Sequence, residues 1–262
     1  MRHILGIFMD YLSQYFKTRL AYRTDFLGEL VSYFIFELIN LVFIIVVFQH
    51  VPLLNDWTRE EIIFIYGFFL IPYAVFTMFF GFWDFNEKYI IRGEMDRVLT
   101  RPLHNLAQIC LESIAPDRIF GVFTGLIIMG YAAIRLDLSF AWYDPFLFVG
   151  LVISSVLIYA GVYTSISAIS FFSDSRTGIA PMIWNIQNYG RYPVDVYNKI
   201  IRFILTWILP FAFVGVYPAA YFLRKEVWYT YAMLTPVMGI IFFSIGLLVW
   251  NWGVRKYRGA GS

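Results

Sequence analysis

Few residues in this chain have types and spacing suited to chemistry. Glu29 and Glu37 interrupt the long apolar run from Phe26 to Phe48. At helical steps of three or four they align with Ser32, Tyr33 and Asn40 as one polar stripe. An ionised carboxylate facing lipid costs several kcal/mol, so the stripe must face protein or water. It serves either as the lining of a substrate path or lateral gate, or as a hydrogen-bonded seam between helices with Glu29 near a headgroup layer. The second group is the stretch Asn86–Asn105, NEKYIIRGEMDRVLTRPLHN, set between two apolar runs and carrying more charge than any other part. Gly93 permits a sharp turn or a close backbone approach. Glu94, Asp96 and Arg97 offer charged contacts, Met95, Val98 and Leu99 an apolar ridge, and Pro102 a helix stop.

Other chemistries lack their residues. There is no GxxxxGK[ST], no HExxH and no Gly-x-Ser-x-Gly. His3, His50 and His104 lie far apart, and with the lone Cys110 they make no metal cluster and no intrachain disulfide. No catalytic site and no metal site is expected. Basic residues mark the edges of apolar runs and are not interleaved for nucleic acid.

The elements that must position these residues are membrane helices. The chain has 262 residues, 60% hydrophobic, 21% aromatic and only 15% charged, with a net charge of +2. Its mean hydropathy is +0.67. A soluble domain is about half apolar and a quarter charged. The expected fold is all-α and integral to the membrane, one permease domain over residues 1–262 with about six transmembrane helices. Arg2–Tyr22 sets apolar residues such as Leu12 and Tyr15 against Ser13, Gln14, Lys17 and Arg19. This amphipathic pattern suits an interfacial helix over 1–22. It is not a cleavable signal, because polar residues interrupt any apolar core.

Spans are expected at 26–48, 62–82, 110–134, 145–172, 178–197 and 231–252. The third opens with Glu112, Asp117 and Arg118, where either carboxylate can pair with Arg118. The fourth is rich in small residues, which suits close helix packing. Ser173–Arg176 reads as a turn. The stretch 178–197 is polar for lipid, and 199–223 is broken by Pro210 and Pro218. In the preferred arrangement the first crosses and the second is re-entrant. In the alternative the first lies on the cytoplasmic surface and the second is the fifth span. With both termini in the cytoplasm, twelve cationic residues fall inside, Arg176 and Arg258 among them, and six outside. That asymmetry is the positive-inside pattern. The expected location is the plasma (inner) membrane, multi-pass.

The polar stretch resembles a known family. Ile91, Gly93, Met95, Asp96, Leu99, Pro102 and Leu103 match the loop after the second span of type-two ABC exporter permeases, where it forms the coupling helix. Arg191–Tyr197, then Leu209–Phe213 and Tyr217–Ala219, is similar to the subgroup with a YP turn before a proline-broken re-entrant segment. The resemblance covers essentially the whole chain. It implies that Ile91, Gly93, Glu94, Met95, Asp96, Arg97, Leu99, Arg101 and Pro102 couple to a partner. Tyr192, Pro193, Pro210 and Pro218 would shape the re-entrant turn. Glu29, Glu37 and Asn40 stand as path or gate residues. The implied partners are an ATP-binding cassette subunit, which would hold ATP and Mg, a second or related permease, and membrane lipid. This chain itself would hold no cofactor and hydrolyse nothing. The competing classes are an ion-coupled transporter or channel using Glu29 and Glu37, and a membrane scaffold. The aromatic content is compatible with an amphipathic cargo.

Overall fold

The computed structural model describes residues 2–172, 179–257 and 259. The turn expected at Ser173–Arg176, and Arg258, lie outside the described residues. Eleven α-helices and several shorter turns account for most of the described chain. The first helices are α1 (Arg2–Ala21), α2 (Arg23–His50) and α3 (Arg59–Phe79). The polar stretch contributes α4 (Glu94–Leu99) and the start of α5 (Asn105–Glu112), and α6 spans Ile119–Arg135. Beyond these lie α7 (Asp144–Ile169), α8 (Ile179–Gln187), α9 (Lys199–Phe203), α10 (Val216–Phe222) and α11 (Tyr229–Lys256). Among the described residues five helical segments are long and apolar enough to cross a membrane, α2, α3, 116–135, 144–172 and 226–256, or six if the bent pair 199–208 and 211–222 counts as one span.

The third span is shorter than expected. Cys110 and Glu112 belong to α5, a separate helix. Pro116 lacks an N–H and disfavours helical geometry in the residue before it. Ala115 is accordingly non-helical, at φ −128° and ψ 82°. The chain therefore breaks between α5 and the start of the span.

α3 is the axis of the bundle. In its most apolar window 78% is buried, against 11% for α2 at the rim. Thr58 and Glu61 cap its start reciprocally, which satisfies amides the helix leaves unpaired.

α7 and α11 run side by side in the same direction. A Cβ on Gly239 would meet the backbone of Ser154, one on Gly246 that of Gly161, and one on Gly253 the carbonyl of Ala168. The contacts recur every seven residues along both helices, the period of a left-handed helix pair. Where the hydrophobic effect does not drive helices together, such backbone-to-backbone approach supplies the packing. The small residues of the fourth span thus pack as expected.

Between them, 178–197 is no continuous helix. α8 has nine residues, and short turns at Asn188–Arg191 and Val194–Val196 flank an extended Tyr192. These pieces still travel the length of α3. Pro181 lines a cavity with Trp83 and Asn86, beyond one end of α3. At the other end, Trp57 Nε1 donates to both carboxylate oxygens of Asp195, at 3.2 and 3.1 Å.

The next thirty residues return to where they began. Lys225 Nζ lies 2.8 Å from Glu61 Oε1 and 4.8 Å from the centre of the Trp57 ring. In between, α9 and the π-helical turn Ile204–Ile208 meet the segment Phe211–Phe222 at a bend of 71°, at Leu209 and Pro210. The bend reaches the middle of the bundle. Phe213 O accepts from Ser155 Oγ at 3.1 Å, and Gly215 sits beside Phe69, near the midpoints of α7 and α3. Pro218 does not break the chain as expected. It is the third residue of α10, where a helix needs no N–H from it.

The seam sets a test. A Cβ on Gly161 would lie 2.2 Å from Phe242 O, whereas one on Gly130 of α6 meets nothing within 4 Å. Gly161→Val is expected to destabilise by at least ~1–3 kcal/mol, the range for overpacking. Gly130→Ala is expected to stabilise by ~0.5–1 kcal/mol through helix propensity. Thermal unfolding in detergent, with size-exclusion profiles, reads both.

Candidate functional site

The first site is built on the polar stretch. A π-helical turn, Asn86–Ile91, leads to Gly93 at φ 71°. That left-handed conformation suits glycine, and it turns the chain into α4. Met95 and Val98 are 0% exposed and pack in a cluster with Phe85, Phe171 and Trp250. The ridge expected to meet a partner through Met95 and Val98 therefore faces the bundle instead. Their removal from water holds α4 in place. Ile91, Arg92, Asp96, Arg97, Leu99, Arg101 and Pro102 form the exposed side, with Gly93 and Glu94 half-buried.

One carboxylate holds this arrangement. The Glu112 side chain is 6% exposed, with Arg97 Nη2 at 2.9 Å, Arg101 Nη1 at 3.6 Å and Lys88 Nζ at 3.9 Å. Tyr89 OH donates to it at 2.9 Å and Gln108 Nε2 at 3.2 Å. Burial works to raise the Glu112 pKa, but the hydrogen bonds from Gln108 and Tyr89 and the Arg97 charge outweigh it and lower it. Glu112 thus pairs with the loop, through Lys88, Arg97 and Arg101. Burial pushes the Cys110 thiol up to about 12, so the one cysteine stays protonated beside this network. At the far side of α5, Trp250 Nε1 donates to Asn105 Oδ1 at 2.9 Å, tying the loop to α11.

The second site is a cavity of about 570 Å³ between α2, α3, α8 and the start of α6. Glu29 and Glu37 both line it. Along α2 it runs from Phe26 to Glu37, about 16 Å at 1.5 Å per residue, roughly half a bilayer core. Aromatic side chains dominate the wall, with Tyr33, Phe36, Tyr73, Trp83 and Trp184 among them.

Its polar groups gather at the two ends. At the mouth, Arg19 of α1 pairs with Glu29 at 2.7 Å and Asp117 at 3.7 Å, and Tyr15 OH donates to Asp117. Arg118 stands 4.0 Å from Asp117, the pairing expected there. At the deep end, Tyr66 OH donates to Glu37. Arg191 Nη1 donates to Asn40 Oδ1 at 2.7 Å, and its other nitrogens donate to the carbonyl and side chain of Asn188. The guanidinium also stacks 5.7 Å from the Tyr66 ring centre and 5.6 Å from that of Phe69. Both Glu37 and Arg191 are buried. The Arg191 guanidinium is solvated by protein dipoles in place of water.

The stripe read from sequence thus divides. Glu29 belongs to the mouth, while Glu37 and Asn40 belong to the deep end. Among the described residues no acidic or histidine cluster could hold a metal ion. Glu112 and Arg191 were not among the expected site residues. Their one signal was a charged residue against an apolar run, which marks many membrane edges as well.

A family model described as ABC-2 family transporter protein matches residues 34–261. No curated protein and no solved structure matches the chain.

Glu112 sets a pH test. Because folding lowers its pKa, its contribution to stability is complete at neutral pH. It fades as pH falls below the ordinary glutamate value of roughly 4.3 and through the lower folded-state value. Glu112→Gln is expected to lose about 1–3 kcal/mol at pH 7, the cost of leaving charged donors without their acceptor. The gap to wild type should narrow on acidification. Thermal unfolding of both proteins between pH 7 and pH 3.5 measures it.

Proposed function

The chain belongs to the ABC-2 transporter family, and from that premise we propose that it is the membrane-spanning subunit of an ATP-driven exporter. It is a multi-pass membrane protein and a transport component. In this reading a separate ATP-binding cassette subunit binds ATP and Mg and docks on the exposed side of α4. Two copies, or this chain and a related permease, pair around a translocation path. The α4 end of the bundle faces the cytoplasm, the termini lie on that side, and the membrane is the plasma (inner) membrane. Residues 1–22 lie at the interface. The segment 199–223 enters from the outer face and returns to it, a re-entrant hairpin shaped by Pro193 and Pro210. The cavity is then a cytoplasm-facing vestibule lined by Glu29 and Glu37.

The observation that carries this reading is the mounting of α4. A six-residue helix is too short to be stable alone. Here Met95 and Val98 anchor it below and Glu112 holds it from the side, while its outer face stays in solvent. A helix fixed in that way passes a push on to the bundle. Nucleotide binding to the partner would bias two states of the permease through it, with no chemistry in this chain. Ion coupling through Glu29 and Glu37 has less support. Glu29 is exposed and paired with Arg19, and the two carboxylates are about 12 Å apart along the helix.

Co-purification in detergent tests the reading. Wild type is expected to carry an ATPase subunit that Leu99→Arg and Asp96→Lys lose while keeping wild-type unfolding temperatures. Met95 is unsuited to the test, because a charge there would enter the core. A well-folded wild type that never brings an ATPase with it would overturn the proposal.

A further inference from the structure

α2 meets the bundle on a narrow face, through the Arg19–Glu29 pair at the cavity mouth, partly buried Leu41 and Phe48 against the core, and the deep end of the cavity. Only Glu37 and Ile44 of its side chains are buried. They lie seven residues apart, on one face. Glu37 accepts from Tyr66 of α3, and Asn40, between them, accepts from Arg191. Arg191 ends the short turn that precedes the extended Tyr192. The two hydrogen bonds therefore join three separate elements across the end of the cavity. Ile44 packs into the hydrophobic core one helical turn beyond Asn40. The cavity stops at this level, and Ile44 is not among its lining residues.

We infer that Tyr66–Glu37 and Arg191–Asn40 form a clasp that closes the vestibule at mid-depth, and that release of α2 from it opens the way past Ile44. This rests on reading the cavity as the transport path. The chemistry suits a closure that must open. A wholly apolar seal must expose its buried area to water each time it opens. Charged and amide groups are instead rehydrated when they part, and a hydrogen bond exchanged for water changes little in net free energy. Arg191 acts as a positioning residue, since it places the chain before the re-entrant hairpin against α2. Most α2 side chains outside these contacts are exposed, so the helix can move while uncovering little more of the core than Leu41, Ile44 and Phe48.

Cysteine accessibility tests the clasp. In a Cys110→Ala background in detergent, Ser32→Cys reports on the cavity and Ile44→Cys on the far side. The probe is a small cationic methanethiosulfonate. The expected result is rapid labelling at 32 and protection at 44. Adding Tyr66→Phe and Asn40→Ala should speed labelling at 44 about tenfold, the change that ~1.4 kcal/mol in an opening equilibrium gives. Glu29→Gln breaks an ion pair on the same helix outside the clasp and should leave 44 protected. Should the double variant unfold early, Asn40→Ala alone keeps Glu37 and Tyr66 together and should still speed labelling. Protection at 44 in every variant, or equal labelling with Glu29→Gln, would overturn the clasp. Neither result bears on ATPase binding, and loss of the ATPase would leave the labelling pattern standing.

Discussion

The close contact between α7 and α11 constrains everything placed between them. The helices run parallel, with Gly239, Gly246 and Gly253 against the backbone of α7 at a constant offset. α7 ends at the Glu112 end of the bundle, and α11 begins at the Trp57 end. The chain between them must therefore make one net traverse. Residues 181–195 accomplish it with one short helix and two turns. The remaining connection has to leave the Trp57 end and come back to it. The bent segment through Pro210 is such an excursion, and its depth is set by Ser155 and Phe69, where it stops.

Both candidate sites obey one electrostatic rule. A buried charge is tolerated because several groups from different elements converge on it. Glu112 gathers Lys88, Tyr89, Arg97, Arg101 and Gln108. Arg191 gathers Asn40, Asn188 and the faces of Tyr66 and Phe69. The two sites are linked in sequence and in space. α5 carries Glu112, and five residues later Asp117 meets Arg19 and Tyr15 of α1, with Arg19 reaching Glu29 of α2. The ion pairs that hold α4 and those at the cavity mouth are thus separated by only the five residues from Glu112 to Asp117.

The long spans were legible because an apolar run of some twenty residues has few other uses. The polar stretch was legible as a helix between breakers, Gly93 before it and Pro102 after it. Its orientation was not. Met95 and Leu99 lie on the same short apolar ridge, and sequence does not say which of them the bundle takes, since that depends on where Phe171 and Trp250 arrive from distant helices. The early end of the third span was missed because Pro116 competes with an apolar pattern that runs past it. Glu29, Glu37 and Asn40 were read as one stripe because helical spacing cannot tell a cavity mouth from its end. Arg191 is more telling, because its partners are 151 residues away in Asn40 and beside it in Asn188. Local pattern carries no trace of the distant one.

Trp57 meets both feet of the excursion, Asp195 at one and Lys225 at the other. The intervening chain is thereby tethered at both feet to one indole, while Phe211, Phe213 and Tyr217 seat its middle in the core. A change in length can be absorbed only where this chain is exposed, around residues 198–200, and there closing a longer loop adds little entropy cost. An indole at the rim makes the segment a loop with both ends held and its tip buried. Slack at the exposed foot is then isolated from the tip, whose register against α3 and α7 is fixed at Phe69 and Ser155.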